Sequence, residues 1–229
     1  MQQLPNYGDL RTLAFCAFCC GPTGTKDHCP SKVFLDEPLP ANLAVVPACL
    51  ACNNGFSADE EYLACLISCV IAGGTEPQQI ERPKIQRILS EKPALRARLE
   101  QAKSTEDGQT IFMPDWERVR NVLLKLAKGH ALYELHENCS GDPIHVSMVP
   151  LATLSDEQRE WFENPEPSTA WPEVGSRAMQ RMLIGADVSA GGWVVVQEGR
   201  YRYNASIVDG CEVRIVINEY LAVRACWTS

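Results

Sequence analysis

Four cysteines in two closely spaced pairs are the residues of this sequence with the clearest chemistry. Cys16 and Cys19 form one Cys-x-x-Cys pair, and Cys49 and Cys52 form a second pair about thirty residues later. A tight turn at each pair can point both thiolates at one ion, and four thiolates are the ligand set of a tetrahedral structural zinc site. We therefore predict that these cysteines bind one structural Zn²⁺ ion.

The polar residues beside the cysteine pairs have the types that hydrolysis of a phosphodiester requires. Asp27 and His28 are adjacent, and Asn53 directly follows the second pair. A neutral histidine is a suitable general base at pH 7, and carboxylate and amide oxygens bind hard divalent cations. If residues 25–28 end a strand, Asp27 and His28 point to opposite faces, so a bend is needed for both to flank one phosphate.

The order of these residues resembles that of the zinc-stabilised HNH endonucleases, which have a ββα-metal site. The matching residues are Cys16, Cys19, Asp27-His28-Cys29-Pro30, Asn42-Leu43 and Cys49-x-x-Cys52-Asn53. The resemblance covers about forty residues and implies a first strand ending at Asp27-His28, a second strand starting at Asn42-Leu43 and a helix beginning at Cys49 to Asn53.

The resemblance also implies a role for each matching residue. His28 would be the general base, and Asp27 and Asn53 would bind a catalytic Mg²⁺ or Mn²⁺ ion. Asn42 would brace the loop between the strands, and the four cysteines would hold the structural zinc.

The composition is that of an ordinary globular protein of a reducing compartment. The chain has 229 residues, of which 45% are hydrophobic, 22% are charged and eleven are cysteines. An odd number of cysteines and the absence of an export signal favour thiolate–metal bonds over disulfides. We expect a cytoplasmic protein without a membrane span. Cys20 and Cys29 are alternative ligands to Cys19, which fits the two-residue gap better.

A basic stretch interrupts this acidic chain. The net charge is −8, but residues 82–128 contain eleven Lys or Arg and six Asp or Glu, a net charge of +5. Basic surfaces attract nucleic-acid phosphates, so this stretch is a candidate DNA-binding surface. Solvated helix faces are the alternative explanation, and the charge count alone favours them over a DNA-binding surface. The candidate phosphate-binding residues are Arg82, Lys84, Arg87, Arg96 and Arg98.

The segment after the second cysteine pair has helical patterns. Ser57-Ala58-Asp59-Glu60 has the spacing of a capping box and predicts a helix that stops at Gly73. Two short basic helices are predicted within 77–103, separated before Pro93, followed by a polar loop at 104–109.

A longer helix is predicted next. Asp115 is placed to cap it, and it runs to about Leu135 with His130 on its apolar face, where a core histidine is the expected role. A strand is predicted at 144–150, and a second capping box at Ser155-Asp156-Glu157-Gln158 starts another helix.

The C-terminal part changes from helical to strand patterns. We predict a helix at 173–184 and then an antiparallel meander of four strands, at 193–197, 200–206, 211–218 and 220–227. The predicted fold class is α+β, with a ββα-metal zinc module followed by helices and a small C-terminal antiparallel sheet. The predicted division is a nuclease module at 1–75, a basic helical region at 76–138 and an α+β region at 139–229.

Together these features predict a metal-dependent HNH endonuclease that hydrolyses phosphodiester bonds of double-stranded DNA. RNA is an alternative substrate, and the C-terminal region is a candidate surface for a homodimer or a regulatory partner. The alternative from another functional class is a non-catalytic zinc-binding module that attaches to nucleic acid or to a protein. The Asp27-His28 pair favours the enzyme, because a purely structural zinc fold needs no base between its cysteine pairs.

Overall fold

The computed structural model describes residues 12–184 and 192–228, and its α+β fold confirms the predicted class. The chain divides into two compact units. One unit comprises the described residues within 1–55 and 124–229, and the other is Phe56–Leu123. The predicted division into 1–75, 76–138 and 139–229 stays a prediction. Among the described residues, no helix is both long and apolar enough to cross a membrane.

The first unit begins with a ββα arrangement. Strand β1 (Thr25–His28) pairs antiparallel with β2 (Val45–Ala48), so that Asp27 faces Val46 and His28 faces Val45. Helix α1 (Leu50–Gly55) follows β2 after a single residue. The second strand therefore begins three residues later than the Asn42-Leu43 step that the resemblance implied.

The first unit also contains a five-stranded antiparallel sheet, in the order β5 (His145–Pro150), β9 (Leu221–Trp227), β8 (Cys211–Ile217), β7 (Tyr201–Ile207) and β6 (Val194–Gln197). Its strands are short and joined mostly by tight turns, as the alternation of apolar runs and Asp-Gly or Glu-Gly pairs predicted. Two helices precede its last four strands, and the second begins at Arg177, four residues later than predicted. The elements are β5 (His145–Pro150), α6 (Asp156–Glu163), α7 (Arg177–Ile184), β6 (Val194–Gln197), β7 (Tyr201–Ile207), β8 (Cys211–Ile217) and β9 (Leu221–Trp227).

The second unit is mainly helical. Its buried side chains include Tyr62, Leu63, Ile85, Leu89 and Leu99, which pack helices together around one core. The elements are α2 (Ser57–Ala72), α3 (Pro83–Glu91), α4 (Pro93–Gln101), β3 (Lys103–Glu106), β4 (Gln109–Phe112) and the first part of α5 (Trp116–Leu135).

Two local predictions in the second unit are wrong. Ser57 is the first residue of α2 rather than its cap, and Phe56 at the cap position makes no side-chain capping bond. The predicted polar loop at 104–109 is a β-hairpin, in which β3 and β4 pair across Asp107-Gly108. Both residues have positive φ, as a two-residue hairpin turn requires, so the Asp-Gly pair was the missed signal.

In the first unit, the capping box at Ser155 and Gln158 is confirmed.

Helix α5 supplies the centre of the first unit through its last three turns. Leu126, Ala127 and Ala131 are fully buried there, as is His130. Gly129 lies against the residue that follows β1, because a Cβ atom built on it would be 2.6 Å from Cys29 Sγ. The absence of a side chain at this position lets the helix pack closely on the end of β1.

Candidate functional site

The four predicted metal ligands meet at one point. The Sγ atoms of Cys16, Cys19, Cys49 and Cys52 all lie within 4.8 Å of one another. The Cys19 and Cys49 sulfurs are 3.8 Å apart, and a tetrahedral ion with bonds of about 2.3 Å places its sulfurs about 3.8 Å apart. The donor set therefore fits a single thiolate-bound metal ion, and it is the only such group of His, Cys, Asp and Glu side chains among the described residues.

Backbone geometry prepares both cysteine pairs for this role. The amide of Cys20 donates to the Cys16 carbonyl at 2.9 Å and so closes the first turn, while Cys20 itself has a positive φ. At the second pair, the Cys52 amide donates to Cys49 Sγ at 3.3 Å and lowers the pKa of the Cys49 thiol to about 7. The Cys52 amide contact favours the thiolate of Cys49, which is the metal-binding form, whereas burial raises the pKa of the Cys52 thiol.

The two alternative ligands lie elsewhere. Cys20 Sγ contacts Asn138 Oδ1 at 3.5 Å, and Cys29 Sγ contacts the Leu126 carbonyl at 3.5 Å. Neither belongs to the cluster of four thiols, so the choice of Cys19 from its spacing was correct.

Asn53 connects α1, which carries Cys52, to the strand that carries Asp27 and His28. It is the fourth residue of α1, not its cap, and its side-chain amide donates to Thr25 Oγ1 at 3.1 Å and to the Lys26 carbonyl at 3.2 Å. Any metal at the cysteines would therefore fix α1, and Asn53 would hold β1 against it.

His28 ends β1 and is half-buried. Its Nδ1 atom is shielded from solvent and has no hydrogen-bond partner within the described part of the chain. Burial, followed by the charge of Lys32, lowers the pKa of His28 below its usual value of 6.5. The imidazole is thus neutral at pH 7, and no group of residues 12–184 or 192–228 forms a hydrogen bond with its Nδ1 atom.

Asp27 has a partner that the sequence did not predict. Its Oδ2 atom is 2.8 Å from the Nζ atom of Lys125, and the side chains are 12% and 1% exposed, respectively. Lys125 also donates to Ser31 Oγ at 2.9 Å and lies 5.6 Å from the centre of the Phe18 ring. A lysine inside the apolar run Val122 to Ala127 was the only sequence signal of this pair.

The Asp27 and Asn53 side chains, as placed, do not fit a catalytic divalent cation. The ammonium of Lys125 already holds an oxygen of Asp27, and the Asn53 amide group is turned toward β1. A second cation beside the same carboxylate would face a buried positive charge at short range. Ligation of Mg²⁺ or Mn²⁺ by Asp27 and Asn53 therefore stays a prediction without support from this geometry.

Asn42 lies just before β2, between two surface cavities of about 480 and 350 Å³. Both cavities are lined by Asn42, Ala44 and Tyr133, and the larger also by Lys26. Among the described residues that line them, neither Asp27 nor His28 is present. The bracing role predicted for Asn42 stays a prediction.

The candidate phosphate-binding residues lie in the second unit, on and beside α3 and α4. Arg82 is 3% exposed, Lys84 is half-buried and Arg96 forms a 2.7 Å ion pair with Glu76. Arg87 and Arg98 are exposed. Of the five side chains, Arg87 and Arg98 are thus the best placed to contact phosphate, and DNA binding stays a prediction.

A buried polar network in the first unit was missed by sequence reasoning, apart from His130. His130 stacks on Tyr203 and its Nε2 atom is 2.8 Å from the Tyr201 hydroxyl. The Tyr203 hydroxyl donates to Glu134, which also pairs with Arg181. Burial lowers the pKa of His130 to about 3. The predicted core role of His130 is thus confirmed.

Comparison of the chain with protein-family models, with curated proteins and with solved structures gives no match. Membership of the HNH endonucleases therefore remains a resemblance carried by the residues described above.

Proposed function

We propose that this protein is an endonuclease of the HNH type, which hydrolyses phosphodiester bonds of DNA with His28 as its general base. The observation that carries the proposal is the His28 side chain, a neutral imidazole whose Nδ1 atom has no hydrogen-bond partner within the described residues. It is the last residue of β1 and follows Asp27 in the sequence.

The proposed reaction uses the neutral imidazole of His28 to take a proton from a water molecule. The oxygen of that water attacks the phosphorus, and the bond from phosphorus to the 3′-oxygen breaks. The departing 3′-oxygen takes a proton from solvent water, which leaves a 5′-phosphate and a 3′-hydroxyl. General-base catalysis of this kind contributes about 10²–10⁴-fold to a rate. Because Asp27 pairs with Lys125, no step of the proposed reaction is assigned to a divalent cation.

The metal at the four cysteines is proposed to be Zn²⁺ with a structural role. Four sulfur ligands complete a tetrahedral shell and leave no open position for water or substrate. The ion would join the turn at Cys16–Cys19 to the start of α1, and Asn53 would extend this support to β1 through Thr25. The zinc would thereby fix the backbone that presents His28.

Double-stranded DNA is the proposed substrate, with Arg87 and Arg98 as the exposed residues of the predicted phosphate-binding set. Substitution of a residue that only contacts phosphate should weaken binding uniformly across sequences and reduce the salt dependence of binding.

A non-catalytic zinc-binding module is the second candidate, and one observation favours it. The Asp27 carboxylate is neutralised by a buried lysine, as in a structural ion pair, rather than being exposed to a substrate or an ion. In that case His28 would have no chemical task, and its substitution would leave binding to nucleic acid or protein unchanged.

The test is incubation of purified, zinc-loaded protein with supercoiled plasmid and, separately, with a folded RNA. Variants His28→Ala and His145→Ala are compared with the wild type, because His145 is an exposed histidine of β5 that lies outside the candidate site. The proposal predicts nicking by the wild type and His145→Ala, with 5′-phosphate ends, and none by His28→Ala at equal zinc content. Equal cleavage by all three proteins, or cleavage of RNA alone, would contradict it.

A further inference from the structure

Asp27 and Lys125 form a short ion pair that is almost completely buried on the lysine side. One oxygen of the carboxylate lies 2.8 Å from an ammonium group that is itself only 1% exposed. We propose that the ε-ammonium of Lys125 is the resident cation of Asp27, and that it keeps divalent metal ions out of this position. The inference rests on the proposed function only in treating Asp27 as a site residue.

The surroundings of Lys125 hold its charge in place. The ammonium forms an ion pair with Asp27 Oδ2 and donates to Ser31 Oγ, and the Phe18 ring, which attracts cations, lies 5.6 Å away. A buried ammonium is costly unless paired and hydrogen-bonded in this way. Three contacts from different segments indicate that the pocket was formed around this group.

Lys125 cannot easily withdraw to admit a metal ion. It lies on α5 between the buried residues Leu123 and Leu126, and its side chain is enclosed within the first unit. A magnesium ion binds carboxylate oxygens at about 2.1 Å, so an ion at Asp27 Oδ2 would lie within a few ångströms of the ammonium. Two positive charges at that separation in a buried site repel each other strongly.

The same contacts make Lys125 a positioning residue for His28. Asp27 precedes His28 in β1, and Ser31 follows it by three residues, so that one ammonium joins both ends of the short segment that contains the imidazole. The lysine does not contact a substrate, since it is almost completely buried. Its two polar contacts are with residues on either side of His28.

The test is a titration of zinc-loaded, full-length protein with Mn²⁺, followed by electron paramagnetic resonance of the free ion. Manganese has little affinity for the four thiolates, so the cysteine centre does not compete for it. The variants are Asp27→Asn, Lys125→Met and the double substitution, with Lys125→Arg as the variant that keeps the charge.

The inference predicts that the wild type and Lys125→Arg bind no more Mn²⁺ than Asp27→Asn does. Lys125→Met should gain one site, and its affinity should fall by about tenfold or more when Asp27→Asn is added. A Mn²⁺ site in the wild type that disappears in Asp27→Asn would overturn the inference, as would the absence of any gain in folded Lys125→Met.

A second measurement needs no variant that disturbs the pair. Mn²⁺ bound at Asp27 would broaden the imidazole proton resonances of the neighbouring His28 in the wild-type NMR spectrum, and the inference predicts no selective broadening. His28→Gln serves to assign those resonances. Selective broadening at His28 would overturn the inference even if Lys125→Met failed to fold. Plasmid cleavage, measured separately, decides the proposed function, because the Mn²⁺ results hold whether or not DNA is cut.

Discussion

The cysteine centre and the Asp27–His28 site lie in the same compact unit, yet they are assembled in different ways. The centre is built from two local turns, and the spacing of its residues specifies it almost completely. The Asp27–His28 site is completed by Lys125, which lies far away in the sequence on a helix of the same unit. The difference shows that metal ligands with a local spacing can be predicted from the sequence, whereas the lysine that pairs with Asp27 cannot.

The largest effect is expected when the cysteine centre itself is broken. Cys49→Ser removes one of four thiolates, and structural zinc sites contribute about 10–16 kcal/mol to the folding of small metal-organised units. We expect zinc content to fall from one ion per chain to nearly none, with loss of the thermal transition of the first unit. Cys20→Ser is the matched control, since Cys20 lies next to a ligand and outside the cluster. Retention of zinc by Cys49→Ser would show that the cluster is not the metal site.

Loss of Lys125 from the Asp27–His28 site should lower the free energy of unfolding by a smaller amount. Lys125→Ala leaves the half-enclosed Asp27 carboxylate without its ammonium partner, and breaking a buried pair in this way costs about 3–5 kcal/mol. The free energy of unfolding in urea gives the value. Lys128 lies three residues further along α5 and is only half-buried. Its replacement, Lys128→Ala, should lower the free energy of unfolding by less than about 1 kcal/mol. Equal costs for the two variants would mean that Asp27 and Lys125 do not interact.

The unit that contains both sites should lose stability in acid through His130. Its pKa in the folded state, about 3, lies below its value in the unfolded chain, so the unfolded state binds the proton first. Its stabilising contribution is complete above about pH 6.5 and declines by about 1.4 kcal/mol for each unit of pH below that. Urea unfolding at pH 7 and pH 4.5 measures the slope.

His130→Phe is the variant that isolates this effect, because it keeps a ring on Tyr203 and removes the titrating group. It should reduce the loss of stability between pH 7 and pH 4.5 by about 2–3 kcal/mol. An unchanged pH dependence would mean that His130 is not the group responsible.

The close packing of α5 against the end of β1 gives the smallest predicted effect. Gly129→Ala would place a methyl group 2.6 Å from Cys29 Sγ, and overpacking of this kind costs about 1–3 kcal/mol. Thermal unfolding provides the measurement. Gly55→Ala, at the end of α1 where a new Cβ atom meets nothing within 4 Å, should be neutral or slightly stabilising. A Gly129→Ala protein as stable as the wild type would show that the helix can shift away from Cys29.

Most of the regular structure could be predicted from the sequence because its signals are local. Apolar periodicity located α2 and α5, and alternating apolar runs with Gly-containing turns located the four strands from β6 to β9. The hairpin of β3 and β4 was missed, because β3 is polar, each strand has only four residues and the Asp107-Gly108 turn was the main signal. Polar strands have no hydrophobic period to detect.

The sequence predicted which residues form the candidate site better than it predicted the hydrogen bonds and ion pairs between them. The four cysteines come together as their spacing indicated, and Asn53 lies on α1 beside them. Its hydrogen bonds to β1, and the pairing of Asp27 with Lys125, depend on how separate segments pack. No local pattern encodes such packing, and one lysine in an apolar run was too weak a signal to identify the partner.

The most direct test of the proposed chemistry is the single-turnover rate of cleavage of a DNA duplex by the wild type and by His28→Gln. Glutamine approximates the size of the imidazole but cannot act as a base. With one zinc per chain in both proteins, we predict a loss of about 10²–10⁴-fold in the variant, the contribution of a general base. A rate within about twofold of the wild type would contradict the assignment of His28 as the catalytic base.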